Sequence, residues 1–209
     1  MEEIEAINLD GLKEILDMKL PNSYLLKYYR DINHRVLWVN EEVTEDLMYE
    51  LIHYILLWNR EDKDIEDIDR QPIYLMFNSP GGSIDAQAAI CSVIELSQTP
   101  VIGVAVGMVA SAAALIYLSC HCRLALKTSY LILHKGSAAL NGNYNDIINS
   151  IEDYKKEIDK NTKYIVEHSH MTLEEVESHM GSDWYIRCDP EGVNKGLVDE
   201  IVSNINAIL

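Results

Sequence analysis

Phenylalanine occurs once in this 209-residue chain, proline five times and cysteine four times, and basic residues are outnumbered two to one. The shortage of positive charge is the most restrictive. With 17 Lys and Arg against 34 Asp and Glu, the formal charge is −17. Such a surface repels phosphate backbones and anionic headgroups, which argues against nucleic-acid and membrane-surface partners. The four cysteines, Cys91, Cys120, Cys122 and Cys188, are too few for a disulfide framework at this length, and a reducing, cytoplasmic compartment is expected. A basic leader is lacking too. The opening "MEEIEAINLDGLKEIL" is acidic, so no secretory signal is expected. One run, Val101–Cys120, carries no charge over a length that could cross a bilayer. It contains Gly103, Gly107 and several alanines, has no flanking basic cluster or aromatic belt, and changes character midway. "VIGVAV" is β-branched and "ASAAALIYL" is built of helix formers, which predicts a buried strand followed by a buried helix.

What is present alternates. At 48% hydrophobic the chain has enough apolar residues for one sizeable core. "LPNSYLLKYY" suggests an arm or edge element within an N-terminal arm, 1–34. Strands are predicted at "RVLWVN" (35–40), "PIYLMF" (72–77), "VIGVAV", "RLAL" and "YLIL". Helices are predicted across "EEVTEDLMYELIHYILLWNRE" and from Ile84 to Leu96. The charged "EDKDIEDIDRQ" and the polar "GSAALNGNYND" read as loops. Ile147, Ile151, Tyr154, Ile158 and Ile165 keep a three-to-four spacing with one gap at Asn161/Thr162, predicting an amphipathic helix over 144–169. That is longer than an ordinary globular helix needs. "TLEE" (172–175) is a capping-box signature, closed by Gly181. Asp189-Pro190 opens a further helix, which Gly196 ends before "LVDEIV". Strand, helix, strand, helix in this rhythm predicts an α/β fold with parallel pairing.

Several residues carry two readings each. "NSPGGS" (78–83) follows a buried strand and is either a tight connection or a main-chain cradle for an oxyanion; no Gly-Lys-Ser/Thr follows, so it is not a phosphate loop. Ser111 is either a small helix cap among alanines or a nucleophile whose helix supplies N–H groups. No G-x-S-x-G elbow surrounds it. His134 ends "YLILH" and is either a satisfied core residue or a base. His34, His53, His121, His168, His170 and His179 have no better strand-end placement. Spacing alone cannot select the acid among 34 carboxylates. "CHC" (120–122) invites a metal, but adjacent residues do not converge on one tetrahedral ion and no second pair accompanies them; neither metal nor cofactor is expected.

Taken in order, "IYLMFNSPGGSIDAQAAI", "VGMVASAAALI", "LILH" and "DPEGVNKGLVDEIV" resemble the proteolytic subunit family of the Clp protease, ClpP, from about residue 35 onward. The resemblance implies a ClpP/crotonase-like fold of stacked βαβ units, with 35–209 as a single catalytic domain and 144–169 as a projecting handle helix. It maps the nucleophile onto Ser111, the base onto His134 and the acid onto Asp183, with the N–H groups of Gly82 and Ala112 as oxyanion donors. Asp189 and Asp199 occupy capping and structural positions in that pattern. It further implies peptide-bond hydrolysis through an acyl-enzyme and polypeptide substrates. Assembly would be into heptameric rings stacked as a tetradecamer, with a hexameric AAA+ ATPase unfoldase as partner. The chain departs from the family pattern at Lys135-Gly136, Ala112, Trp184 and Met76, and its first 34 residues do not resemble the family's axial loop. Two other readings stand beside the endopeptidase. One is a non-catalytic ring subunit. The other is a crotonase-type acyl-CoA enzyme, which leaves Ser111 and His134 unexplained.

Overall fold

A computed structural model of the chain describes residues 22–137 and 141–208. Residues 1–21 of the predicted arm and 138–140 of the predicted loop lie outside the described residues. The chain divides into two units, Met1–His34 and Arg35–Leu209. In the first, the part of "LPNSYLLKYY" from Ser23 onward belongs to a helix, not an edge element. Helix α1 (Ser23–Asn33) starts where the Asn22 side chain accepts the Tyr24 N–H at 3.0 Å, satisfying one of the donors a helix start leaves bare.

The second unit is α/β, with one sheet of seven strands. Its early elements are β1 (Val36–Val39), α2 (Glu45–Glu61), β2 (Ile73–Ser79), α3 (Ile84–Leu96), β3 (Val101–Ala110) and α4 (Ala112–Ser119). Then come β4 (Cys122–Ala125), β5 (Tyr130–Leu133), α5 (Tyr144–Glu167), α6 (Leu173–His179), β6 (Trp184–Arg187) and β7 (Glu200–Ile201). Neighbours run β1-β2-β3-β4-β7, all parallel. Parallel neighbours need crossovers, and α2, α3 and α4 supply them, giving βαβ units.

Strand β3 serves two partners in succession. Ile102–Ala105 pair with β4, and Met108–Ala110 pair with β5. The uncharged run therefore stays a strand four residues beyond "VIGVAV". Helix α4, buried along its whole length, begins only at Ala112. Among the described residues no helix is long and apolar enough to cross a membrane. Helix α2 also begins later than its apolar pattern suggests. Val43 is drawn into a parallel bridge with Gly82, and Thr44 caps the helix at Leu47.

The core lies where α2, α3 and α4 cover the sheet. Leu51, Ile55, Ile90, Ile94, Phe77 and Tyr117 are fully buried, each contributing about 1.5–3 kcal/mol of transfer free energy. A smaller cluster of Met76, Val104, Leu124 and Ile208 fills another part of the interior. At one end, Arg35 holds Asp62 with two bonds of 2.6 and 2.8 Å, and Thr99 donates to the same carboxylate at 2.8 Å. Helix α5 differs from the rest. Its capping box at Asn143 and Asp146 is complete, yet within its 24 residues only Thr162 and Ile165 are buried.

Candidate active site

The loop after β2 is fixed by its own side chains. Between Phe77 and Ser79 the register with β3 shifts, so β3 carries extra residues there. The Asn78 side chain fills the bulge, accepting the Met108 N–H at 3.1 Å. Gly107 is needed opposite it, since a Cβ there would lie 2.3 Å from Asn78 Oδ1. Ser79 Oγ donates to the Glu41 carbonyl and accepts the Gly81 N–H. Bulges of this kind re-aim a strand beside a site.

Re-aimed, the loop meets the β3–α4 junction. Gly81 has φ +92°, and a Cβ there would come within 2.7 Å of both the Ala110 carbonyl and Ser111 Cβ. Glycine is required on both counts. Ser111 itself sits at φ +54°, ψ −126°, a conformation rarely adopted by a residue with a side chain and held here from both sides. Its N–H donates to the Ile132 carbonyl at 2.8 Å, and its carbonyl accepts from Ala114 at 2.9 Å. The strand-to-helix turn thus has the strained backbone of a nucleophile elbow without the glycine spelling. The Val43 bridge engages the Gly81 carbonyl and the Ser83 N–H. Among the described residues the N–H groups of Gly82 and Ala112 have no hydrogen-bond partner.

The second part of the site comes from an antiparallel ribbon. Strands β5 and β6 pair with Leu133 opposite Trp184. The residue after the first and the residue before the second are therefore brought side by side. His134 Nδ1 lies 3.2 Å from Asp183 Oδ1. This contact favours the tautomer with the proton on Nδ1. The other nitrogen, Nε2, is buried and has no hydrogen-bond partner.

Ser111, Ala112 and His134 line one cavity of about 40 Å³. No hydrogen bond joins Ser111 to His134 among the described residues. A carboxylate on one side of an imidazole and a bare lone pair on the other make a proton acceptor, with a hydroxyl in the same cavity. Asp183 and Gly82 are not in the lining. Within the "NSPGGS" loop, Gly81 is the glycine at which an added Cβ would meet Ser111.

The departures from the family pattern have local causes. Lys135 donates its N–H to the Met180 carbonyl at 3.2 Å, and the Tyr154 hydroxyl donates to the Lys135 carbonyl at 3.1 Å. Gly136 follows at φ +82°, where a Cβ would press on Tyr154 Oη at 2.7 Å. Trp184 stacks on His179 at 4.4 Å and lies under the Lys195 ammonium. Met76 is a core residue.

The remaining candidates are structural. His121 Nδ1 accepts the Val101 N–H at 2.9 Å, and burial lowers its pKa, so a neutral ring tethers the start of β3. Among the described residues no group of three or more His, Cys, Asp or Glu side chains is placed to hold a metal ion. The four thiols are unpaired. Burial pushes Cys91 up to about 11 and Cys188 up to about 12, which keeps both protonated and poor nucleophiles. Asp199 accepts from Arg123 at 2.7 Å, and Asp189 lies 3.9 Å from Lys127.

One cavity residue was missed in the sequence. Gln87 interrupts the buried face Ala86, Ile90, Cys91, Ile94 of α3. A polar residue on an apolar stripe was the available signal.

The model of the Clp protease family matches residues 22–205. The chain is similar to three proteins, each called ATP-dependent Clp protease proteolytic subunit 2. It is 25% identical to that of Treponema pallidum (strain Nichols), over 84% of this chain and 85% of the relative. It is 27% identical to that of Rhodococcus jostii (strain RHA1), over 84% and 88%. It is 29% identical to that of Bifidobacterium longum (strain NCC 2705), over 87% and 85%.

Proposed function

The chain belongs to the Clp protease family, and from that premise we propose that it is a serine endopeptidase cutting peptide bonds through an acyl-enzyme. Ser111 Oγ attacks the carbonyl, His134 Nε2 takes its proton and returns it to the leaving amine, and Asp183 orients the imidazole and stabilises its charged form. The N–H groups of Ala112 and Gly82 receive the oxyanion. Donors so aimed are each worth about 2.7–4 kcal/mol in the transition state.

The observation that carries this reading is His134. One ring nitrogen is held by Asp183, while the other is buried, unpartnered and on the cavity that Ser111 lines. Nucleophile–base hydrogen bonds often tighten only when substrate is bound.

Assembly is part of the proposal. Helix α5 is amphipathic, yet most of it covers nothing in its own chain, which suits a handle packed between copies in stacked heptameric rings. Seclusion in such a chamber would restrict cleavage to unfolded polypeptides, with a hexameric ATPase as the feeding partner. The unpaired thiols fit a reducing cytoplasm. The missing Ser111–His134 bond is the observation that favours a second reading, a ring subunit without activity.

Intact mass after treatment with a fluorophosphonate separates the two. One adduct per chain, lost in Ser111→Ala, is expected. No adduct on an assembled sample establishes the inactive subunit, and a monomer at micromolar concentration contradicts the ring.

A further inference from the structure

Gln87 projects from α3 into the cavity beside Ser111 and is only 4% exposed. Its Nε2 donates to Cys91 Sγ at 3.3 Å, while its Oε1 is buried with no partner. Among buried side-chain polar atoms of the described residues, the only other one without a partner is His134 Nε2. An unsatisfied buried acceptor is disfavoured, and one that faces a cavity is available to a group that enters it.

The surroundings narrow what arrives. Ile84, Leu115, Leu133, Ile165 and Met180 wall the cavity, so the stem of the incoming group is apolar. A cation is disfavoured, because Lys135 is on the same lining and one amide oxygen does not compensate an ammonium for lost water. What remains is a neutral side chain with an apolar stem and an N–H donor at its tip.

Resting on the protease reading above, we propose that Gln87 is a specificity-determining residue. The cavity takes the substrate side chain immediately before the scissile bond, and the Gln87 carbonyl selects a carboxamide tip, as glutamine provides, over an apolar isostere. Glutamine and methionine have similar length and bulk, and they differ in the donor. A site built around a hydrogen bond rejects the analogue that cannot make it, because its own polar group is then left bare.

The test compares two fluorogenic peptides, identical except for Gln or Met before the cleaved bond, on the assembled full-length enzyme and on Gln87→Met. The wild type is expected to favour the Gln peptide about tenfold in kcat/KM, and Gln87→Met to favour the Met peptide. Thermal unfolding of the variant serves as the control for folding. Because the readout is a ratio within one protein, general loosening does not move it as predicted. Equal or faster cleavage of the Met peptide by the wild type, or an unchanged ratio in the variant, overturns the inference while leaving the protease intact. Absence of both cleavage and Ser111 labelling overturns the protease reading and this one with it.

Discussion

Ser111 and His134 reach the same cavity from supports of different kinds. Ser111 stands at the end of a ten-residue central strand, on a turn wedged between Gly81 and the start of a fully buried helix. His134 stands at the end of a four-residue strand, 28% exposed, beside an Asp183 that is 56% exposed. Backbone packing fixes the first. The second is held by one ribbon and two main-chain bonds after it, from Tyr154 and to Met180. The position of Ser111 is set by packing that costs much to disturb, while His134 and Asp183, the proposed base and acid, are more exposed and held by fewer contacts.

The sharpest test of this contrast is Ser111→Ala. It removes the hydroxyl and keeps the Cβ, so cleavage should fall by about 10⁴-fold or more, with unfolding free energy within about 0.5 kcal/mol of wild type. Steady-state kinetics beside calorimetry reads both. Asp183→Asn should lower kcat by about 10²-fold, less than a fully buried orienting acid would, because solvent shares in holding the ring. A loss as deep as that of Ser111→Ala would erase the distinction between the two halves.

The glycines compare the supports directly. Gly81→Ala drives a Cβ into backbone atoms and should cost about 3 kcal/mol, or roughly 6–12 °C in Tm. Gly136→Ala meets only the tip of Tyr154 and should cost about 1 kcal/mol. The reverse order would show that the His134 arm is the rigid one.

A smaller effect, away from the site, depends on pH. The Arg35 guanidinium holds the Asp62 carboxyl below its usual range, against the burial that pushes it up, with the Thr99 hydroxyl helping. A depressed native pKa contributes stability that is present above the unfolded value, about 3.9, and is lost as pH falls through the native one. Asp62→Asn should therefore cost about 2 kcal/mol at pH 7, with the deficit shrinking below about pH 4. Denaturant titrations across that range check it.

Legibility in the sequence followed the same division. The helix Ile84–Leu96 and the strand "YLIL" are apparent from periodicity and punctuation, and the small residues around Ser111 announce close packing. The partner of His134 is not apparent from periodicity or spacing, and Asp183 is named only through the family resemblance. Asp183 is chosen by an antiparallel pairing, and pairing across some fifty residues leaves no periodic trace. The hook of Val43 onto Gly82 was hidden for the same reason, which is why α2 starts four residues late. "LPNSYLLKYY", with no acidic residue and densely set tyrosines and leucines, reads as an arm or edge element, whereas from Ser23 onward it belongs to a helix capped by Asn22.

Strand β3 has a consequence for what changes this chain can tolerate. Its near half is tied to one neighbour and its far half to another, so it acts as a ruler, with about 3.3 Å to each mark. Deleting a single mark would turn the serine toward the opposite side of the sheet, and no sliding of the strand restores one neighbour without losing the other. Outside Gly103 and Gly107, where an added Cβ would clash, substitutions along β3 can be absorbed by repacking; changes in its length cannot.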